Sequence, residues 1–506
     1  WIDLGLYWEH NFGMVNPLSG LVNERIAWDR RLASEIRNYV DGLQADAVQA
    51  LGGMVQKTGN ALRFFVFNPL NWERTDTADI PYTGPALVHV VDLNTAQEAP
   101  SQIVTVNGQQ YLRILATSVP PIGYKVFEIQ QGAGASFPNA AAVNGNVFEN
   151  DSYRVAVAPN GAITSLRDKQ RSNREFVRNI DGRSVNDLGP DAGSPPQVEN
   201  AGPVSVTLRV DASGPVQHTT RITLFLSVNR VEIVNEILQN FDNIITWSFG
   251  FELNDPDVWH EEVGAVIRAK LVSQGGHYSD RARNSRYDWL TLNHFADISS
   301  GSLGITLSNA DCYFMQLGRS TVNSLDTSTP KISVLAGGRV ANGFNGLPGQ
   351  GGDTQFLQRF ALQTHADFSP VAAMKFALEH QNPLVIGMVS GGNIYPEKSY
   401  SFLSISNPDL LLWALKPADD GPIQNMVARL WNLTANTANF TLATTPGKIA
   451  SAEQVSHIET PIAQANVSAG ALAETLDAHQ MKSFSVQLDV SSPPGVSHVF
   501  LPLVDS

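Results

Sequence analysis

The sequence has a single cysteine, Cys312, among its 506 residues. One thiol cannot form an internal disulfide, and multi-cysteine zinc or iron–sulfur sites are excluded as well. Cys312 lies in an apolar stretch, which is typical of a core residue and not of a nucleophile. The apolar runs fall short of the ~18 residues that a membrane-spanning helix needs, so no such helix is expected.

Positive charge is also scarce. The chain has 34 Lys and Arg against 48 Asp and Glu, a formal net charge of −14. Nucleic acids and anionic membranes bind basic surfaces, so neither is expected as a partner. Only 16% of the residues are charged and 43% are apolar, which favours a folded protein with sizeable cores over a disordered chain.

Several motifs are missing too. There is no Gly-x-Ser-x-Gly elbow of a serine hydrolase, and the glycine-rich stretch 337–353 lacks the Lys-Ser/Thr of a phosphate-binding loop. The chain opens on Trp1 without the basic, apolar and small-residue regions of a signal peptide. We therefore expect a portion of a longer protein, with catalytic groups upstream; the sequence indicates no compartment.

The beginning of the chain is predicted to be helical. From Asn23 to Leu51, apolar residues recur every three or four positions, which is one face of an amphipathic helix. Gly52 and Gly53 are predicted to end this helix. Its apolar stripe needs burial against partner helices, of which residues 1–15 can supply one.

From about residue 60 the sequence indicates β-structure. Short runs of β-branched and aromatic residues, such as Arg63–Phe67, are separated by Gly, Pro, Asn and Asp. This pattern is typical of β-sandwiches. The stretch from Gln130 to Asn146 is the best candidate for a linker because it is rich in Gly, Ala and Asn.

Segments in three parts of the chain resemble a known family. They are Phe65–Arg74, then Phe148–Val155 with Gly161–Lys169, and finally Leu411–Gly421 with Ala428–Asn432. The first looks like the strand that enters a first β domain. The second group looks like the opening hairpin of a large sandwich, and the third looks like part of a final sandwich. In this order and spacing they resemble the C-terminal half of family 38 glycoside hydrolases, the α-mannosidases.

The resemblance, which covers residues 1–490, implies a fold and an activity. Members of the family have a catalytic β/α barrel, a three-helix bundle and β-sandwiches, and they cleave α-mannosides with retention. It implies a mainly β chain: a short helical-bundle segment at 1–57, a small sandwich at 58–130, a supersandwich like galactose mutarotases at 131–400, and a C-terminal sandwich at 401–506. Nothing here resembles the barrel that supplies the nucleophile, so no catalytic residue is assigned.

The resemblance also implies a metal ligand. In the family, a Leu-Gly-Leu-aromatic segment leads to a His-His-Asp triplet whose second His binds a divalent metal, usually zinc. Here Leu4–Tyr7 leads to Glu9, His10 and Asn11, which implies His10 as the ligand and Asn11, in the place of the family's Asp, as a substrate contact. Glu9 replaces the family's first His, and it either orients the imidazole or is a solvated helix carboxylate. The other ligands would come from the missing N-terminal domain. The alternatives are an ordinary helix histidine for His10 and an ordinary helix-end residue for Asn11.

Two further groups are each open to two interpretations. The first group either contacts sugar through planar donors and aromatic rings or is a basic loop packed on acidic surroundings; its members are Arg281, Arg283, Arg286, Tyr287, Asp288 and Asn293–Phe295. The second is Trp259–Glu262, where Gly264 replaces the second His of an HExxH zinc site. We expect this segment on the surface of a sandwich.

The sequence thus predicts the C-terminal portion of a retaining α-mannosidase-type hydrolase. Its partners would be an α-mannoside and the N-terminal catalytic domain of the same protein. The alternative is a non-catalytic carbohydrate-binding or structural β-sandwich protein, in which Trp and Tyr side chains would stack on sugars. The helix and the His10 segment ahead of the sandwiches favour the enzyme, because a binding module needs neither.

Overall fold

The structure is a computed structural model that describes residues 2–7, 21–190, 193–280, 286–337, 348–419 and 425–489. The chain forms two compact units, one of residues 1–40 and 138–381 and the other of residues 41–137 and 382–506. Strands dominate both units, which confirms the mainly β fold class. The finer division at residues 57, 130 and 400 stays a prediction.

The described residues contain few helices. Helix α1 spans Ile2–Tyr7, α2 spans Val22–Met54 and α3 spans Pro370–Gln381. Helix α2 confirms the long helix predicted from the apolar periodicity, whereas α3 was not predicted. None of the described helices combines the length and the apolar character needed to cross a membrane.

The strands of the described residues are numbered in chain order. The first seven belong to the second unit: β1 Leu62–Asn68, β2 Arg74–Pro81, β3 Val88–Asp92, β4 Gln97–Ala99, β5 Ser101–Val106, β6 Gln109–Val119 and β7 Gly123–Gln131. The next seven belong to the first unit: β8 Ala142–Asn144, β9 Val147–Glu149, β10 Tyr153–Val157, β11 Ile163–Asp168, β12 Arg174–Glu175, β13 Gln197–Ala201 and β14 Ser205–Ala212.

The first unit continues through eleven more strands: β15 His218–Phe225, β16 Val231–Ile237, β17 Ile245–Gly250, β18 Asp257–Glu262, β19 Ala265–Arg268, β20 Leu290–Thr291, β21 Phe295–Ser300, β22 Leu303–Asn309, β23 Phe314–Leu317, β24 Lys331–Gly337 and β25 Phe356–His365. The rest return to the second unit: β26 Val385–Met388, β27 Ser399–Ser401, β28 Leu403–Ile405, β29 Leu410–Pro417, β30 Asn425–Asn432, β31 Ala438–Thr444, β32 Lys448–Val455, β33 Pro461–Gln464, β34 Val467–Ser468, β35 Ala471–Leu476 and β36 Met481–Asp489.

Antiparallel sheets enclose the core of the first unit. The largest has nine strands in the order β13-β14-β15-β16-β25-β22-β21-β18-β19, and the others have the orders β12-β11-β10-β9-β8 and β17-β24-β23-β20. Strand β16 alternates between buried and partly exposed residues, as expected for a strand with one face in the core. In that core, the rings of Phe249 and Phe360 meet edge to face with centroids 5.2 Å apart.

Helix α3 packs on strands β21, β22 and β25 of the nine-stranded sheet. The Ser369 hydroxyl accepts a hydrogen bond from the Ala372 N–H (3.3 Å), and Pro370 is the first helical residue. A serine cap followed by proline is a favourable helix start. The helix buries Val371 and Met374 among other apolar residues, so it is held mainly by packing.

The described residues of the second unit form four sheets. Their strand orders are β26-β1-β7-β3-β4 with β27 beside β7, then β2-β6-β5, β28-β31-β35-β34 and β29-β30-β36-β32-β33. Strand β1 is buried on both faces: Phe64 and Val66 belong to one core, and Phe65 and Phe67 belong to another. This explains its unbroken apolar run, because alternation is lost when both faces of a strand are covered.

The glycine pair of α2 has a different role from the one expected. The helix continues past Gly52 and Gly53 to Met54. A Cβ atom on Gly52 would lie 2.1 Å from the Met388 carbonyl oxygen, whereas a Cβ on Gly42 would meet nothing within 4 Å. The Ser390 N–H also donates to the Gly52 carbonyl (3.0 Å). Gly52 therefore serves close packing against β26 and does not end the helix.

These two glycines should respond oppositely to alanine. We expect Gly52→Ala to lower the free energy of unfolding by about 1–3 kcal/mol, because the methyl group overpacks the contact with β26. Gly42→Ala should raise it by about 0.5–1 kcal/mol, because alanine is the better helix former at an unobstructed position. Urea denaturation measures both, and changes of the same sign would contradict the assignment.

Candidate functional site

The residues with the strongest sequence signal lie outside the described part of the chain. Glu9, His10 and Asn11 fall within residues 8–20, so the metal-binding and substrate-binding roles of His10 and Asn11 stay predictions. The structure does describe the helix that leads to them, because α1 ends at Tyr7.

Helix α1 lies within electrostatic reach of α2 and of the segment before β23. Burial and the charge of Asp29 raise the pKa of Tyr7. Burial, followed by interaction with Tyr7, raises the pKa of Tyr313. Both tyrosines are partly open to solvent, with 38% of Tyr7 and 57% of Tyr313 exposed. Helix α1 therefore ends at one partly exposed tyrosine, Tyr7, which lies near a second, Tyr313.

The arginine-rich cluster is only partly brought together. Arg286 forms a two-point ion pair with Asp288, at 2.9 and 2.7 Å. Tyr287 is 3% exposed, and its hydroxyl donates to the Ser279 carbonyl. Its ring is therefore not available for stacking on a sugar. Arg281 and Arg283 lie outside the described residues.

Of the remaining members of that cluster, His294 belongs to a buried ion pair. Nδ1 of His294 lies 2.7 Å from Oε2 of Glu261, and Glu261 is fully buried. Burial alone would raise the pKa of Glu261, but the hydrogen bond and charge of His294 outweigh it and leave the pKa lowered. A buried carboxylate needs such a partner. This pair links β18 to the residue that immediately precedes β21.

The expected surface position of Trp259–Glu262 holds only in part, because only Trp259 and Glu262 are partly exposed. The segment forms the end of β18, and both His260 and Glu261 are fully buried. Successive side chains of a strand point to opposite faces, so His260 and Glu262 share one face and Glu261 takes the other. The prediction is wrong for His260 and Glu261, because these polar residues are paired inside the fold, which residue type alone does not reveal.

A hydrogen-bonded network extends from His260 to Glu262. Nε2 of His260 lies 2.9 Å from the Tyr278 hydroxyl, and the two rings are stacked at 6.2 Å with an interplanar angle of 9°. Glu262 bonds to the same hydroxyl, and burial together with this carboxylate raises the pKa of Tyr278. The Thr291 hydroxyl donates to Oε1 of Glu262 (3.2 Å). Burial lowers the pKa of His260 to about 4, so the imidazole is neutral at neutral pH.

The described residues offer hydrogen bonding and aromatic surface but no metal centre. Within them, no group of three or more His, Cys, Asp or Glu side chains could hold a metal ion. Cys312 is buried, and burial raises the pKa of its thiol, which confirms a core residue.

A second carboxylate–histidine pair lies on the same sheet. Nε2 of His365 is 2.6 Å from Oδ2 of Asp297, which also accepts the Thr306 hydroxyl (2.6 Å). Asp297 is fully buried. Burial alone would lower the pKa of His365, but the hydrogen bond and charge of Asp297 outweigh it and leave the pKa raised.

Solved structures with a similar fold include two bacterial glycosidases. The chain is similar to an α-mannosidase from Enterococcus faecalis V583, at 14% identity and a TM-score of 0.65, over 91% of this chain and 59% of that one. It is also similar to a protein of glycosyl hydrolase family 38 from Enterococcus faecalis, at 14% identity and a TM-score of 0.67, over 96% and 65% of the two chains. No family model and no curated protein sequence matches the chain.

A galactose mutarotase-like protein from Lactobacillus casei matches 44% of the chain at 14% identity with a TM-score of 0.29. The two Enterococcus structures show that the chain has a fold like that of family 38 hydrolases over most of its length. The chain spans less than two thirds of either structure.

The His365–Asp297 pair makes stability depend on pH. A histidine with a raised pKa stabilises the folded state below about pH 6.5, its ordinary pKa, and this contribution is lost as the pH rises through the folded-state pKa. We expect the difference in unfolding free energy between wild type and His365→Gln to be larger near pH 5.5 than near pH 9. The first pH lies about one unit below the ordinary pKa of histidine, and the second lies more than about two units above it.

Urea titrations at both pH values measure this difference. The matched control is His457→Gln, which replaces an exposed histidine. A His365→Gln difference that does not change with pH would show that the ion pair contributes nothing to stability.

Proposed function

We propose that this chain is the C-terminal, mainly β portion of a retaining glycoside hydrolase that acts on α-mannosides. Its catalytic domain would lie in an N-terminal part of the same protein. The likeness to the two Enterococcus structures supports this, because it extends over 91% and 96% of this chain but over only 59% and 65% of those chains. The catalytic domain would correspond to the part of those two chains that this chain does not match.

An incompletely covered helix supports a partner domain. The apolar stripe of α2 is buried towards its two ends, at Leu32 and Leu51, but open in the middle. There Tyr39, Val40 and Leu43 are 68%, 52% and 51% exposed. Large apolar side chains grouped on one helix face favour contact with another part of the protein. We propose that the N-terminal domain covers them.

A metal ligand and a substrate contact belong to the same proposal. His10 would be one ligand of a divalent metal, with zinc as the ion most often used in the family. A single imidazole leaves the other positions of a tetrahedral zinc to other groups, and these would come from the N-terminal domain. Asn11 would hydrogen-bond the sugar, because its amide both donates and accepts. The sequence Leu4–Tyr7 followed by His10 supports both roles.

The isolated chain should not hydrolyse mannosides. A retaining mechanism needs two carboxyl groups about 5 Å apart flanking the glycosidic bond, and the resemblance places the nucleophile in the barrel. We expect no release of p-nitrophenol from its α-mannoside by residues 1–506, and turnover by the full-length protein. Turnover by the chain alone would contradict the domain assignment, and an inactive full-length protein would contradict the proposed activity.

The assignment of His10 can be tested separately from the fold. In the full-length protein, His10→Ala should lower both zinc content and turnover while leaving the melting temperature nearly unchanged. A histidine with only a structural role would behave oppositely, with a loss of about 1–3 kcal/mol for a broken buried hydrogen bond and no change in zinc. Elemental analysis and thermal melts distinguish the two. The control is His457→Ala, and unchanged zinc in His10→Ala would refute the assignment.

A further inference from the structure

Glu262, Thr291 and Phe314 form one surface at the edge of the small sheet of the first unit. Glu262 is the last residue of β18, and its carboxylate accepts the Thr291 hydroxyl (3.2 Å). Thr291 and Phe314 are register partners across β20 and β23. Opposed residues of an antiparallel pair lie on the same face, with Cβ atoms about 5 Å apart. A carboxylate, a hydroxyl and an aromatic ring are therefore side by side.

This surface is open to solvent. Phe314 is 40% exposed and Glu262 is partly exposed. Val263, at the tip of the hairpin that follows Glu262, is 82% exposed. The neighbouring Tyr313 is 57% exposed. A ligand could thus reach the ring and the carboxylate without any rearrangement of the core.

The carboxylate of Glu262 is held in place and still has room for a ligand. An ionised carboxylate has about four acceptor sites, and the hydroxyls of Thr291 and Tyr278 occupy two of them. Tyr278 is itself fixed by the fully buried His260, through the 2.9 Å hydrogen bond and the ring stack. A group fixed in this way loses little conformational entropy when a ligand binds.

We propose that Glu262 and Phe314 form a carbohydrate-binding surface, in which Glu262 accepts hydrogen bonds from two neighbouring sugar hydroxyls and the ring of Phe314 packs on the apolar face of the sugar. Tyr278 and His260 are positioning residues for the carboxylate. The inference rests on the proposed function only for the choice of an α-mannoside.

The test is a titration of residues 1–506 with methyl α-mannoside and with an α-linked mannobiose, followed by ligand-observed NMR. We expect saturable binding with a dissociation constant in the millimolar range. Glu262→Ala and Phe314→Ala should each weaken it at least tenfold. The matched controls are Glu149→Ala, a partly exposed carboxylate on β9, and Leu357→Ala, a 48% exposed apolar residue on β25; both should bind like wild type.

Tyr278→Phe separates positioning from stability, because it removes the hydroxyl and keeps the ring. We expect weaker sugar binding in this variant, whereas a purely structural role would lower the melting temperature and leave binding unchanged. Absence of saturable binding by wild type, or binding that survives both Glu262→Ala and Phe314→Ala, would overturn the proposal.

The outcome is independent of the hydrolase assignment. Full-length protein that hydrolyses α-mannosides, combined with a chain 1–506 that does not bind them through Glu262 and Phe314, would overturn this surface and leave the proposed function intact. Saturable binding at the surface, combined with an inactive full-length protein, would support the surface and overturn the proposed function in favour of a carbohydrate-binding protein.

Discussion

Burial of negative charge is the constraint on which the nine-stranded sheet depends. Glu261 and Asp297 are both fully buried, and an unpaired carboxylate in such a place is costly by several kcal/mol. Each is matched by a histidine, at 2.7 Å and 2.6 Å. Because Trp259 and Asp297 are register partners, Glu261 and Asp297 point to the same face of the sheet, the face on which α3 packs. The pairs of Glu261 and Asp297 with their histidines therefore lie on one side of β18, and His260 and Glu262 lie on the other side.

The fold was predictable wherever one physical pattern dominated a segment. The helix from Val22 to Met54 follows from a sustained period of three to four residues, and β1 follows from a short apolar run. Helix α3 was missed because it buries residues on several sides, including Val371, Ala373, Met374 and Phe376, and so presents no single apolar stripe. The Ser369-Pro370 start was the available signal.

The candidate site was less predictable, since its members meet through the pairing and packing of sheets. Glu262, Thr291 and Phe314 lie on three different strands, and only the contact of β18 with β20 brings the carboxylate to the threonine. The sequence left Tyr287 open as a sugar contact or as part of a basic loop, and the fold buries it. The resemblance pointed to His10 and Asn11, which fall outside the described residues, so that part of the prediction is still to be tested.

The single thiol has a practical consequence for spectroscopy. Cys312 is the only cysteine of the sequence, it is buried, and its raised pKa keeps it in the unreactive protonated form. Maleimide and nitroxide reagents attack accessible thiolates, so the native chain should give almost no background labelling. Two cysteines introduced at exposed positions of one unit would then be the labelled pair, and the distance between them could be measured without first removing the native residue.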